Sequence, residues 1–297
     1  MTLPSALSVP AVQRELRANA CGGRLTRASA TSLSLVSYNG ELVEVNEDLV
    51  PIASVVACDS TANLIDANGD DSGVPGSAST TYGVFLGSRR AANFPLALKL
   101  GPTTTFASST SSQRYLGTSG EAAEYRCLGL VRLNGSTQYQ DDEAARFVLN
   151  YENQVPLSLF RCPAYNNNNA STTYTYNAAN FGSVNAGTAD FVEWLSDGYN
   201  AVDLMAQFVL SATPLIAGGT FWGIGIDSTT SASCAANMAS STTGTVSTRY
   251  VAVPSSGYHK ASLLAASNGA STVVADLGRL GSSADPAATF LRGWLRA

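Results

Sequence analysis

The chain has 297 residues and a net charge of −5, and only 13% of its residues are charged. A chain of this length can bury roughly 75% of the surface it exposes when unfolded, enough for one large or two modest domains. Basic residues occur singly or as the pair Arg89-Arg90, without a basic stripe, so we expect no nucleic-acid partner. We also expect no membrane span, because the sequence lacks a run of about 18 apolar residues.

Residues 1–20 predict an N-terminal arm rather than a signal peptide. They lack a basic start and a continuous apolar core, and the stretch after Pro10 is typical of a short helix or a docking segment.

Residues 21–133 predict a small β domain. Residues 31–38 and 41–46 flank Asn39-Gly40, which is the pattern of a β-hairpin with a type I′ turn. Further strands are predicted at 81–86, 96–100, 112–116 and 125–133.

An acidic stretch at 66–73 begins like a calcium-binding loop. Its sixth and twelfth positions hold Asp71 and Ser77, where a calcium loop has Gly and Glu. We therefore expect a solvated loop that is rich in turns, and no metal site.

Residues 134–156 predict a helical connector with one short α-helix at 140–153. The acidic residues at its start can accept hydrogen bonds from the amides of the first turn, and Pro156 follows its end. Phe147 and Tyr151 belong to an apolar stripe at helical spacing. We expect these two residues to form a contact between subunits or between domains.

Residues 157–297 predict a C-terminal, jelly-roll-like β-sandwich. Apolar residues between 202 and 210 alternate with Asp203, Met205 and Gln207, as in a strand half-buried on a core. Gly223 and Gly225 leave one face of their strand bare, which predicts the close approach of another strand, a subunit or a ligand. The expected fold class is therefore mainly β, with two β-rich domains joined by the helix.

A polar segment at 165–177 interleaves tyrosines with asparagine and threonine. Tyr165, Tyr174 and Tyr176 could stack on sugar rings while their polar neighbours bind hydroxyl groups, as adaptable binding loops do. An exposed strand pair with an Asn-rich turn would give the same pattern. These tyrosines are candidate ligand-binding residues, and both interpretations stay open at this point.

The sequence offers little support for catalysis. His259 is the only histidine, and no Gly-x-Ser-x-Gly motif occurs. Glu193, Asp203 and Asp227 could supply the two carboxylates of a glycoside hydrolase if the fold brought a pair to the required separation. The five cysteines are widely spaced and odd in number, which is typical of buried, reduced thiols. We expect no catalytic residue, no metal and no cofactor.

Several short motifs occur between residues 114 and 294, within a likeness that runs from about residue 22 to the C-terminus. They are R-Y-L-G at 114–117, L-G-L-V-R at 128–132, A-A-R-F-V-L-N-Y-E-N-Q-V-P at 144–156, F-W-G-I-G-I-D-S at 221–228, G-Y-H at 257–259 and F-L-R-G-W at 290–294. Together they resemble the bacteriophage virion appendage proteins of the tail-fibre and head-fibre kind, in which a small β domain, a helix and a β-sandwich follow one another. Gln154 departs from that pattern, because the family helix usually carries Arg or Lys there, and residues 57–79 look like an extra loop.

The resemblance implies a structural protein of a bacteriophage particle, a tail fibre or related surface appendage located in the virion. It implies a homotrimer that assembles with other virion proteins of the tail or capsid and displays its sandwich, with a host surface glycan as a further partner. The alternatives are a head fibre or capsid decoration protein and, as an enzyme, a polysaccharide depolymerase.

Overall fold

The computed structural model shows a chain of strands, with two short 3₁₀ helices within the described residues. The mainly β fold class predicted from the sequence is confirmed. No helix among the described residues is long and apolar enough to cross a membrane. The structure describes residues 21–46, 48–88, 97–103, 107–108, 114–117, 120–162, 173–176, 179–184, 191–210, 220–238, 244–267, 273–276 and 289–297.

The chain forms two compact units whose segments alternate along the sequence. The first unit contains the described residues up to Asp141, then Phe147–Gln154 and the last residue, Ala297. The second unit contains Asp142–Arg146 and Val155–Arg296.

The strands up to residue 150 belong to the first unit, except for β13, which belongs to the second. In chain order the elements are β1 (Gly23–Arg27), β2 (Ser32–Ser37), β3 (Leu42–Val45), β4 (Asp48–Pro51), η1 (Ile52–Ser54), β5 (Cys58–Asp59), β6 (Asn63–Ile65), β7 (Asp71–Pro75), β8 (Thr81–Gly87), β9 (Leu98–Gly101), β10 (Ala107–Ser108), β11 (Arg114–Tyr115), η2 (Gly120–Glu124), β12 (Tyr125–Arg132), β13 (Ala145–Arg146) and β14 (Val148–Asn150).

The remaining strands belong to the second unit. They are β15 (Pro156–Arg161), β16 (Thr173–Tyr176), β17 (Gly182–Ser183), β18 (Phe191–Ser196), β19 (Val202–Leu210), β20 (Thr220–Ile226), β21 (Cys234–Met238), β22 (Gly244–Ala252), β23 (Gly257–Ser267), β24 (Val273–Asp276) and β25 (Phe290–Arg296).

The first unit is organised around a six-stranded antiparallel sheet in the order β10-β11-β12-β8-β9, with β14 also paired to β12. A three-stranded sheet, β1-β2-β5, and the pairs β3-β4 and β6-β7 complete it. Its main core includes Leu25, Val43, Val84 and Val131, each at most 1% exposed. A smaller cluster surrounds Phe85.

The hairpin predicted around Asn39-Gly40 is wrong. β2 pairs with β1 and β5, whereas β3 pairs with β4. Gly40 instead lies against Gly22. A Cβ atom added to Gly22 would stand 2.4 Å from the carbonyl carbon of Gly40. The N–H groups of Tyr38 and Asn39 donate to the Gly22 carbonyl at 2.8 and 3.1 Å. These two glycines therefore allow a close approach of backbones rather than a two-residue turn.

The helix predicted at 140–153 is also wrong. The Asp142 carboxylate does accept the N–H groups of Ala144 and Ala145 at 2.9 and 3.0 Å, as a helix cap would, but only a single turn forms. β13 then pairs in parallel with β18, and β14 pairs with β12. Local helix preference, below about 1 kcal/mol per residue, is outweighed by ladder hydrogen bonds and burial. The predicted helical connector, 134–156, is thus a non-helical stretch divided between the two units.

The second unit contains two six-stranded sheets. The first, which we call the β23 sheet, has the order β13-β18-β23-β20-β21, with β17 also paired to β23. The second, the β19 sheet, has the order β15-β25-β19-β24-β16, with β22 also paired to β19. Leu204, Ala206 and Phe208 are fully buried, and the ring centroids of Phe208 and Trp222 lie 5.0 Å apart across the two sheets. The sheets therefore pack face to face as a β-sandwich.

The bare face at Gly223 and Gly225 is covered by the same chain. A Cβ atom on Gly225 would stand 2.4 Å from the carbonyl oxygen of Ser228, and one on Gly223 would stand 2.5 Å from that of Cys234. The predicted close approach is therefore made by the turn after β20 and by β21, which pairs with β20.

Candidate functional site

The β19 sheet has one face on the sandwich core and one face directed outward. Leu291 and Leu295 are buried, so strand alternation directs Arg292 and Trp294 outward, and Trp294 is 48% exposed. We call this outward surface of β15, β25, β19 and β22 the Trp294 face. Its members are Ser158, Phe160, Asp203, Met205, Gln207, Ser247, Arg249, Val251, Phe290, Arg292, Trp294 and Arg296.

Strand pairing aligns these side chains in rows across the sheet. Trp294 lies opposite Asp203, and in the next row Arg292 lies opposite Met205, which in turn lies opposite Arg249. Neighbouring strands in a sheet are about 4.8 Å apart. Aromatic, basic and acidic groups therefore share one small surface.

Arg292 lies between two aromatic rings of its own strand. Its Cζ atom is 5.6 Å from the ring centroid of Trp294 and 5.4 Å from that of Phe290, and its Nη2 atom is 3.9 Å from Met205 Sδ. The ring of Phe160 continues the apolar surface, 6.2 Å from Phe290 between centroids. Within the described part of the chain no carboxylate forms an ion pair with Arg292.

Arg249 and Asp203 form a bidentate ion pair on the same face. Arg249 Nε and Nη2 donate to the two oxygens of Asp203 at 2.8 and 2.6 Å. These hydrogen bonds hold the pKa of the Asp203 carboxyl below its usual range. Asp203 is therefore ionised at neutral pH, and both of its oxygens are engaged by Arg249.

The Trp294 face carries positive charge in an acidic chain. It holds three arginines, Arg249, Arg292 and Arg296, against one acid, Asp203, whereas the whole chain has a net charge of −5. Sequence reasoning missed this cluster because its members come from strands that are far apart in the chain. One signal was present: every second residue of F-L-R-G-W-L-R at 290–296 is aromatic or basic.

The three predicted ligand-binding tyrosines are not brought together in the described residues. Tyr165 lies outside them, and Tyr174 and Tyr176 lie in β16, where their backbones pair with Ala275 and Val273. The side chains of Tyr174 and Tyr176 also lie outside the described part of the chain. Ligand binding by these residues stays a prediction.

Phe147 and Tyr151 lie in the first unit and share no helical stripe. Phe147 is 3% exposed, with the Cζ atom of Arg132 5.9 Å from its ring centroid. Tyr151 packs against the cluster around Phe85, with the Cζ atom of Arg114 3.6 Å from its ring centroid. Their predicted role in a contact between subunits or domains stays a prediction, although Phe147 exposes very little surface.

Glu193 and Asp203 point to opposite sides of the sandwich. Glu193 alternates with the buried Val192 and Trp194 on β18, and it accepts a hydrogen bond from the Tyr258 hydroxyl. Asp203 lies on the Trp294 face of the other sheet. These two carboxylates therefore cannot form a hydrolytic pair, whose members stand about 5–10 Å apart on either side of the same bond.

Asp227 is bound to His259 at the end of the β23 sheet. Nδ1 of His259 lies 2.7 Å from Asp227 Oδ2, and Nε2 lies 2.7 Å from the Ser255 carbonyl oxygen. Asp227 Oδ1 also accepts the N–H of Lys260 at 2.8 Å. Because a carbonyl oxygen only accepts, Nε2 must carry a hydrogen to bond to it. The histidine therefore fastens a loop to the sheet, and neither ring nitrogen faces an open substrate position.

Polar residues of the N-Y-E-N motif at 150–153 hold the first unit together. Asn150 is 2% exposed and bonds both backbone groups of Leu25, at 2.6 Å to N and 3.2 Å to O. Glu152 forms an ion pair with Arg126, which is 1% exposed. Asn153 donates to the carbonyl oxygens of residues 21 and 23, both at 2.7 Å. We call these three side chains and Arg126 the N-Y-E-N clamp.

An open cleft of about 460 Å³ lies beside the clamp, lined by Cys21, Gly22, residues 39–42, Glu152 and Asn153. Burial, and secondarily the charge of Glu152, raises the pKa of the Cys21 thiol to about 11. Burial also raises the pKa of the Cys127 thiol to about 12. Both thiols are therefore protonated at neutral pH and are not activated nucleophiles.

The acidic loop after β6 is a turn closed by its own side chain. Asp66 Oδ1 accepts the N–H groups of Asn68 and Asp70 at 2.8 and 3.1 Å, and the bond from Asn68 is the main reason the pKa of Asp66 lies below its usual range. The described residues contain no group of three or more side chains arranged to hold a metal ion.

No protein-family model matches the chain, and no curated protein sequence matches it.

Proposed function

We propose that this chain is a structural protein of a bacteriophage particle, a tail fibre or related surface appendage, and that it acts by assembly and display. One observation carries the proposal. Of the motifs behind the resemblance to phage appendage proteins, one connects strands of the first unit and another lies on the outward face of the second. The N-Y-E-N clamp joins β14 and the residues just after it to β1 and β12. The F-L-R-G-W motif lies in β25, between β15 and β19 on the Trp294 face.

The second unit is the part that we assign to display. Its sandwich is a rigid scaffold, and the exposed Trp294 and Arg292 are held on a paired strand rather than on a loop. A scaffold of this kind suits contact with a host surface glycan, because rigid aromatic groups lose little conformational entropy on binding.

The first unit and the N-terminal arm are the parts that we assign to assembly with other virion proteins of the tail or capsid. We propose a homotrimer for the assembled chain, with the virion as its location. This arrangement follows the order of domains in the appendage proteins that the sequence resembles.

Quantitative mass spectrometry of purified virus particles tests the proposal directly. The copy number of the chain is measured against the major capsid protein of the same particles. We expect a few copies per particle, in multiples of three. Absence of the chain from particles that infect normally would contradict the proposal.

The same measurement separates the appendage from a head fibre or capsid decoration protein, the second candidate, which would be present in hundreds of copies. The depolymerase alternative has no observation in its favour, since Glu193 and Asp203 lie on opposite sides of the sandwich and Asp227 is bound to His259.

A further inference from the structure

We infer that the Trp294 face is a binding site for an anionic saccharide, with Trp294 as the stacking platform and Arg292 and Arg296 as the groups that bind carboxylates. The inference rests on the proposed function, because it names the surface and the chemical class of the glycan contact. All the contacts and exposures that support this binding site belong to the β19 sheet.

The exposed indole of Trp294 provides the surface on which a sugar ring can stack. Trp294 is 48% exposed on a strand that is paired on both sides, by β15 and β19. A large aromatic side chain held in this way offers a flat apolar surface, and the C–H face of a pyranose ring packs on such a surface. Strand pairing fixes the platform before the ligand arrives, so that little conformational entropy is lost on binding.

The spacing of side chains along β25 places an arginine on each side of the indole. Arg292 and Arg296 flank Trp294 at two residues on either side, and all three side chains point outward. Alternate residues of a strand are about 7 Å apart, so both arginines begin close to the indole. A saccharide stacked on the indole therefore places the acidic groups of its neighbouring units beside the two guanidinium groups.

The positive charge of Arg292 is not neutralised by a carboxylate of the described residues. Asp203 is engaged by Arg249 through both oxygens, and no carboxylate among the described residues pairs with Arg292. The Cζ atom of the Arg292 guanidinium lies 5.4 and 5.6 Å from the centroids of two rings, and Nη2 also approaches Met205 Sδ at 3.9 Å. None of these contacts is with a carboxylate. Planar donors of this kind bind carboxylates in a bidentate manner.

The same observations weigh against two other occupants. A second copy bound through this face would bring its arginines against those of the first and would be disfavoured by repulsion. A nucleic acid requires a longer track of cations to follow its phosphates, and this face has three arginines with one aspartate among them.

The test measures binding of the full chain to immobilised polygalacturonate, with neutral dextran and a single-stranded DNA oligonucleotide as comparison ligands. We expect binding to polygalacturonate that weakens as salt increases, and weaker binding to the other two. Trp294→Ala and Arg292→Gln should each lower the affinity at least about tenfold.

Two variants serve as matched controls. Tyr199→Ala removes an aromatic ring that is 76% exposed in a turn of the same unit, and Arg27→Gln removes an exposed arginine of the first unit. Both should bind polygalacturonate as the unaltered chain does. Melting temperatures of all four variants establish that each is folded.

Three outcomes would overturn the inference: no binding to polygalacturonate, binding to dextran or DNA of equal strength, or losses in the control variants equal to those of Trp294→Ala. The failure differs from failure of the proposed function, since a chain present in virus particles that does not bind polygalacturonate keeps the function and loses only this site.

Discussion

Gly129 shows how one residue sets the distance between two strands of the first unit. It lies in β12 where the pairing with β8 shifts by one residue, and it faces Asn150 of β14. A Cβ atom at Gly129 would stand 2.0 Å from the carbonyl oxygen of Leu149 and 3.1 Å from Leu25 Cδ1. No rotation of a side chain can relieve a contact with backbone.

Gly129→Ala should therefore destabilise the first unit by about 2–4 kcal/mol, because β14 has to move away from β12. Urea unfolding followed by circular dichroism measures the change. Gly135→Ala is the control: a Cβ atom there meets nothing within 4 Å, so its effect should stay within about 0.5 kcal/mol. Equal midpoints for the two variants would contradict this account of Gly129.

Arg126 marks a limit of sequence reasoning at the residue scale. Its neighbours Tyr125 and Cys127 predict a buried strand, but a charged residue in such a strand is normally expected on the exposed face. Arg126 is nevertheless 1% exposed, because Glu152 and the Glu44 carbonyl oxygen, the latter 2.6 Å from Nη1, bind its guanidinium. Both partners are distant in sequence, so no local pattern reveals them.

β19 of the second unit could be predicted well because its sequence carries its own signal. The alternation of apolar and polar residues predicted at 202–210 corresponds to β19, in which residues 202–209 alternate between buried and partly exposed. The prediction of a helix at 140–153 failed for the opposite reason. Its start signal is real, since Asp142 caps one turn, but the pairing of β13 with β18 and of β14 with β12 depends on strands elsewhere in the chain.

The candidate site was predictable only in part. Asp203 and the outward residues of β25 follow from alternation, whereas their alignment in rows depends on the register between β19, β22 and β25. Register is set by contacts across the sheet, and a single sequence does not display it.

Phe147 provides a test at the scale of the element. Phe147→Ala should lower the free energy of unfolding by about 3 kcal/mol without changing the oligomeric state, because the ring is 3% exposed within its own chain. Thermal unfolding and light scattering on a sizing column measure the two quantities. Tyr38→Ala, which removes a ring that is 56% exposed, should change neither.

An oligomer that dissociates in Phe147→Ala at an unchanged melting temperature would contradict this expectation. It would instead support the prediction that Phe147 forms a contact between subunits.

The whole molecule has two units whose chain segments are interleaved. The chain leaves the first unit after Asp141, contributes Asp142–Arg146 to the second, returns for Phe147–Gln154 and then continues through the second. The returning segment carries β14 and the three motif residues of the N-Y-E-N clamp.

A fragment of residues 21–154 should therefore fold, whereas a fragment of residues 21–141 should not. The shorter fragment lacks Asn150, Glu152 and Asn153, so Arg126 would be buried without its carboxylate partner, which is strongly destabilising. Cooperative thermal unfolding, recorded by near-ultraviolet circular dichroism, distinguishes the two. Equal cooperativity in both fragments would show that the returning segment is dispensable.

The interleaved path also constrains how such a protein can change by recombination. A crossover between two related genes at any point from 142 to 154 joins one parent's β1 and β12 to the other parent's β14, or one parent's β13 to the other's β18. The hybrid folds only where both parents have compatible residues there. We therefore expect this short segment to remain similar between relatives whose two units have otherwise diverged, so that it records common descent after the exposed surfaces have changed.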